Sequence, residues 1–212
     1  MKEQLFEETI EAIIDGETSR VVELVNKALE FGFHGSEVLN DALIAGMNEV
    51  GNLFKEGELF VPEVLVSTKA LQAGIDIVKP FLVASDVKTS GRIVTVTVEG
   101  DLHDIGIKLV GMMLQGAGFE VINIGVDKSA KFIVEKVKEL NPNILGMSAM
   151  LTTTMANMKD VIDLLKEEGL IENIKVMIGG VPVSPVYAEK IGANYSADAS
   201  EAVSTAKKLL EV

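Results

Sequence analysis

The groups with chemical reach concentrate in one stretch, Glu99–Val110, EGDLHDIGIKLV, which carries Asp101, His103, Asp104 and Gly106. It follows a β-branched run, Ile93–Val98, and leads into an apolar segment with helical spacing, so it reads as buried strand, tight polar loop and helix. In an open α/β fold the carboxyl ends of the strands are where ligands sit. An imidazole there can serve as metal ligand, general base or phosphate contact, or stand idle in solvent. Asp101, two residues earlier, can accept one ring N–H, fix the tautomer and make the other nitrogen a better ligand. A zinc site built by protein alone needs three or four ligands. The chain has no cysteine and only one other histidine, His34, which falls between helical segments. Asp101, His103 and Asp104 around an iron would need carboxylates splayed more widely than this spacing offers. A macrocycle that brings its own equatorial nitrogens needs just one protein ligand, which a histidine backed by an aspartate supplies.

Composition narrows the chemistry further. Without cysteine there are no thiolate zinc sites, iron–sulfur clusters, disulfides or thiol nucleophile. A formal net charge of −13 disfavours a phosphate-backbone partner, so nucleic acid binding is not expected. The N-terminus, MKEQLFEETIEAIIDG, is amphipathic and acidic, and no apolar run approaches the ~20 residues that span a bilayer. These features point to the cytoplasm and away from membranes.

The elements that must position the loop follow from the period. From Met1 to about Leu82 only helical spacing occurs, broken at Asp15-Gly16, at residues 31–35 and at residues 55–58, which predicts four helices in an up-and-down bundle. Ser36 is the expected N-cap of the third helix, whose Leu39, Leu43, Met47, Val50 and Phe54 form one apolar stripe. Pro62 suits the first turn of the fourth. Residues 80–92 lack a sustained period and read as a linker, with a hinge over 85–91. Beyond it, five strands alternate with five helices, which predicts a parallel, doubly wound, Rossmann-type sheet of flavodoxin-like order 2-1-3-4-5. The chain is thus an α/β protein with a helical domain over 1–88 and a sheet domain over 89–212.

That strand order brings four loops to one end: Gly100–Asp104, Ser148–Thr154, Gly179–Pro182 and Ala197–Ser200. The second holds four hydroxyls in seven residues, of which helix capping accounts for one or two. Gly179-Gly180 either closes a tight turn or lets a ligand approach the backbone. A nitrogen ligand with carboxylates, a hydroxyl-rich loop and a glycine pair together describe a pocket for a large polar cofactor.

Asp101-x-His103-x-x-Gly106, the Ser148…Thr152…Thr154 segment and Gly179-Gly180 resemble the cobalamin-binding signature of corrinoid-dependent methyltransferases and of methionine synthase. Residues 50–54 and 57–63 are similar to that family's helical cap, so the resemblance covers nearly the whole chain. It implies cobalamin as cofactor, methylcobalamin as its loaded form and His103 as lower axial cobalt ligand. Asp101 then binds His103, and Thr154 follows as third member of a relay where methionine synthase has serine. The resemblance also implies a cofactor-binding set of Gly100, Leu102, Asp104, Gly106, Ser148, Met150, Thr152, Gly179, Gly180 and Ala199, with Phe54 and Val61 shielding the methyl group. In such a system the chain carries methyl groups and turns over little alone. It takes them from a substrate-specific corrinoid methyltransferase and passes them to a second methyltransferase using tetrahydrofolate or coenzyme M, with a reductive activator as further partner. A cobalamin-sensing regulatory module is the alternative, and the chain has no basic DNA-reading segment to support it. A radical isomerase subunit would require a substrate barrel.

Overall fold

Residues 2–81 and 89–212 are described by the computed structural model of the chain. Contacts divide it into two compact units, one of Met1–Thr89 with Gly116–Gly118, the other of Ser90–Gln115 and Phe119–Val212.

The first unit is helical. Helices α1 (Lys2–Ile14) and α2 (Thr18–Glu30) precede a continuous helical run made of α3 (Gly35–Glu37), a π-helical stretch (Val38–Ile44) and α4 (Ala45–Glu56), and α5 (Val61–Val78) closes the unit. The cap of the third run is His34 and not Ser36: the Glu37 side chain turns back to accept the His34 backbone N–H at 3.0 Å. The π-helical stretch also changes the buried stripe. A wider turn rotates the residues beyond it, so the face buries Val38, Ala42, Leu43, Met47 and Val50, while Leu39 and Phe54 are only half-buried. Pro62 lies in the first turn of α5, where Glu63 accepts the Phe60 N–H at 2.7 Å. A 3₁₀ turn, Lys79–Phe81, follows α5 inside the expected linker. Residues 85–88 of the expected hinge lie outside the described residues.

The second unit alternates strand and helix throughout: β1 (Arg92–Thr97), α6 (Ile105–Gly116), β2 (Glu120–Asn123), α7 (Ala130–Leu140), β3 (Ile144–Ser148), α8 (Thr152–Glu167), β4 (Lys175–Gly179), α9 (Pro185–Ile191), β5 (Asn194–Tyr195) and α10 (Ala199–Leu210). All pairings are parallel, in the order β2-β1-β3-β4-β5. Because side chains alternate along a strand, each strand feeds both faces of the sheet. One face presents Val94, Val96, Leu145, Met147, Val176 and Ile178 to Ile133, Val137, Met158, Ile162, Leu165 and Ile191 of α7, α8 and α9. That face is the core.

The opposite face grades along the strands. Register pairs Ile93 with Ile144 at the amino end, then Thr95 with Gly146 and Met177, then Thr97 with Ser148 and Gly179, and Ser196 follows directly after the Ile178–Tyr195 pair. Toward the carboxyl edge it is therefore a row of hydroxyls and glycine.

Candidate functional site

At the end of β1 the chain turns sharply through Gly100, whose φ of +78° favours glycine. The turn is tied on several sides. Gly100 N–H donates to Asp127 Oδ1 at 2.8 Å, Asp127 N–H donates to the Asp101 carbonyl at 3.1 Å, and Asn157 Nδ2 donates to the Glu99 carbonyl at 2.7 Å. Thr97 Oγ1 donates to the His103 carbonyl at 2.9 Å.

This turn lowers Asp101 into a fully buried position with both carboxylate oxygens engaged. Oδ1 accepts the His103 backbone N–H at 3.1 Å and pairs with His103 Nδ1 at 2.7 Å. Oδ2 accepts the Met150 N–H at 2.7 Å and the Thr154 hydroxyl at 2.8 Å. Burial pushes the Asp101 carboxyl up, but the donors from Met150, His103 and Thr154 outweigh it and hold the group well below the usual carboxylate range. Asp101 is therefore ionised, and the proton of the shared bond sits on His103 Nδ1. The Thr154 hydroxyl also lies 3.0 Å from the Leu151 carbonyl, yet its single hydrogen favours the charged partner. The His103 side chain is 56% exposed, and with the proton on Nδ1 it is Nε2 that carries the ring's lone pair.

The other expected residues divide. Leu102 is exposed beside His103, as is Ile105. Asp104 turns away into an ion pair with Lys108, so it does not join Asp101 and His103. A Cβ added to Gly106 would meet nothing within 4 Å, so its own surroundings do not demand glycine. Met150 contributes its backbone N–H, and Ser148 and Gly179 are register partners on the graded sheet face. Gly180, at φ +120°, passes so close to Ala149 that a Cβ would collide with the Ala149 carbonyl. Ala199 is buried at the start of α10. Thr152 is exposed at the start of α8, whose N-cap is Leu151 with no side-chain capping bond. Capping therefore accounts for none of the hydroxyls in that loop. Phe54 and Val61 belong to the helical unit, at the end of α4 and the start of α5, both half-buried. Among the described residues, no group of three or more His, Cys, Asp or Glu side chains is arranged to hold a metal ion. None of their helices is long and apolar enough to cross a membrane.

Several residues the sequence reading passed over take part. Thr97 holds the loop, Asp127 and Asn157 clamp it, and Thr95 and Ser196 place hydroxyls on the graded face. The alternation Thr95-Val96-Thr97 was a usable signal, since a strand buried on two apolar faces has little reason to alternate. Nothing local marks Asp127 or Asn157.

A family profile described as "B12 binding domain" matches residues 91–208, and a second of that description matches residues 5–79. The chain belongs to the B12-binding family of corrinoid proteins. It is 48% identical over 211 residues to dimethylamine corrinoid protein 2 of Methanosarcina acetivorans, covering 99% of this chain and 97% of that one. Among solved structures it is similar to the methanol:cobalamin methyltransferase complex MtaBC of Methanosarcina barkeri, with TM-score 0.89, 33% identity, and coverage of 100% of this chain and 81% of that one. A cobalamin-binding protein from Desulfitobacterium hafniense DCB-2 gives TM-score 0.80 at 35% identity, over 97% and 98% of the two chains.

The residues of this corrinoid protein fit cobalamin. Two buried hydroxyls on the graded face, Thr95 Oγ1 and Ser196 Oγ, have no hydrogen-bond partner, a costly state unless a ligand supplies one. Gly111 of α6 and Gly146 of β3 lie near Thr95: a Cβ on the first would sit 4.0 Å from its Oγ1 and on the second 3.6 Å from its Cγ2. Nearer the carboxyl edge Thr97, Ser148 and Gly179 stand side by side with only small side chains, a row suited to a nucleotide tail, while the second imidazole nitrogen suits a metal whose other ligands arrive with it.

Proposed function

We propose that this chain is the methyl-carrying subunit of a cobalamin-dependent methyltransferase system, with residues 1–88 as helical cap and 89–212 as cobalamin domain. When bound, the corrinoid supplies a cobalt centre that accepts and releases a methyl group. His103 Nε2 would hold its cobalt. Ser148 and Gly179, with Gly180 and Ala199 beside them, line the space for the nucleotide tail, and Gly100, Leu102, Asp104, Gly106, Met150 and Thr152 border the corrin. Phe54 and Val61 would keep water and oxidants from the bound cofactor.

The observation that carries this reading is the Asp101 carboxylate joined to His103 Nδ1 on one oxygen and to Thr154 on the other. Ionised Asp101 fixes the proton on Nδ1, so Nε2 keeps its lone pair for a metal. Negative charge behind the ring raises its strength as a donor. Thr154 holds Asp101 in its ionised state by donating to Oδ2.

The methyl donor is a methylamine-type substrate presented by a substrate-specific corrinoid methyltransferase, a reading supported by the relative named for dimethylamine and by the methyltransferase complex among the structural neighbours. The acceptor belongs to a second methyltransferase using tetrahydrofolate or coenzyme M, and a reductive activator restores oxidised cobalt. The test is reconstitution with hydroxocobalamin. Wild type is expected to bind it with a histidine-coordinated visible spectrum, and His103→Ala to lose that signature while folding normally. A protein that stays colourless refutes the carrier reading. A change of assembly on illuminating the adenosyl form, without methyl transfer from a partner enzyme, replaces it with the sensor.

A further inference from the structure

The loop that presents His103 is held from the β2 side by a residue to which neither motif nor period pointed. Asp127 follows Gly125 and Val126 at the end of β2 and is one of three non-glycine residues with positive φ among the described residues, at +52°. That conformation is unfavourable for an ordinary side chain and least so for Asn and Asp. Its environment maintains it. Asp127 Oδ1 accepts the Gly100 N–H at 2.8 Å, while its own N–H donates to the Asp101 carbonyl at 3.1 Å. On either side, Thr97 N–H donates to the Gly125 carbonyl at 3.0 Å, and Lys128 N–H to the Thr97 carbonyl at 3.3 Å, within an isolated parallel bridge between Val98 and Lys128. The strand pairing thus runs on past β2 as far as the turn.

From this geometry we infer that Asp127 is a positioning residue for the axial ligand. It grips the two backbone units, Gly100 and Asp101, from which the buried carboxylate projects, and that carboxylate sets the plane and tautomer of the His103 ring. The left-handed backbone lets one residue both donate to and accept from adjacent positions of the same turn. Without the side-chain bond, Gly100 N–H loses its acceptor, and only the Asp127 N–H bond to the Asp101 carbonyl still ties the turn on this side. The inference rests on His103 as cobalt ligand.

Three substitutions separate the hydrogen bond from the backbone conformation. Asp127→Asn keeps an Oδ1 acceptor and tolerates positive φ. Asp127→Gly relieves φ but removes the acceptor, and Asp127→Ala removes the acceptor and retains the strain. Each is loaded with hydroxocobalamin, and two quantities are read: the apparent dissociation constant, and axial nitrogen splitting in the electron paramagnetic resonance spectrum of the Co(II) form. Thermal unfolding of the unloaded proteins reports stability separately. Asn is expected to match wild type. Gly is expected to unfold near the wild-type temperature, yet bind about 3- to 10-fold more weakly and show a component lacking nitrogen splitting. Ala is expected to lose both stability and ligation. The inference is overturned if Gly matches wild type in affinity and nitrogen splitting. If His103→Ala itself retains the nitrogen splitting, the axial assignment fails first.

Discussion

The two faces of the five-stranded sheet are made by the same strands and solve different problems. On one face Val94, Val96, Leu145, Met147, Val176 and Ile178 are at most 3% exposed and meet large side chains of α7, α8 and α9. On the other, the positions between them are Thr95, Thr97, Gly146, Ser148, Met177 and Gly179, of which only Met177 is large. Close packing to crystal-like density stabilises a fold, but it leaves no room for a ligand. On the proposed reading the graded face takes the cofactor's tail and the packed face serves stability, so a change that breaks one need not harm the other.

The strongest way to break the comparison is Leu145→Ala on the packed face. Removing a fully buried side chain there is expected to cost about 2–5 kcal/mol in urea unfolding. The fraction that remains folded should titrate with hydroxocobalamin at an unchanged dissociation constant, and a matching loss of affinity would mean the faces are not independent. Next in size, Asp101→Ala leaves the Met150 and His103 N–H groups without their acceptor and is expected to cost about 1–3 kcal/mol. Its pH dependence has a defined sign. The folded-state pKa of Asp101 lies below its ordinary value of 3.8, so its contribution is complete well above that pH and fades as pH falls toward the folded value. The stability gap between wild type and Asp101→Ala should be constant from about pH 5 to 7 and shrink below about pH 4.

On the graded face the balance reverses. A Cβ on Gly179 would meet the Ser196 carbonyl at 2.8 Å, so Gly179→Ala should cost about 1–3 kcal/mol in stability and also weaken cobalamin about tenfold or more, read by visible titration. The smallest expected effect is the sharpest. Thr95→Val replaces a partnerless hydroxyl by a methyl group and should leave the unloaded protein equally stable or about 1 kcal/mol more stable. It should weaken cobalamin but not cobinamide, which lacks the nucleotide. If both weaken equally, the hydroxyl does not face the tail.

Much of this division is legible in the chain. The bounds of the helices over 130–140, 185–191 and 199–210 and the sheet order follow from hydrophobic period and the rule for alternating strands and helices. Asp101 and His103 come from spacing, because a contact between residues two apart is local. What escaped depends on distance. Asp127 reaches Gly100 across 27 positions and Asn157 reaches Glu99 across 58, and such contacts exist only once the strand order is set. The π-helical turn at Val38–Ile44 and the cap at His34 escaped for another reason, since both replace a common local solution with a rarer one of similar energy. The hydroxyls of Thr95 and Thr97 were visible as residues. Their meaning required knowing which way the strand faces.

The wiring of Asp101 also limits what can replace it. Each carboxylate oxygen receives one backbone N–H, from His103 on one side and Met150 on the other. An asparagine of the same shape must aim its NH₂ at one of them, and turning the amide over merely moves the conflict to the other. Matching size and outline is therefore insufficient at this position. It admits a group that accepts at both ends, and among side chains of that length only aspartate does.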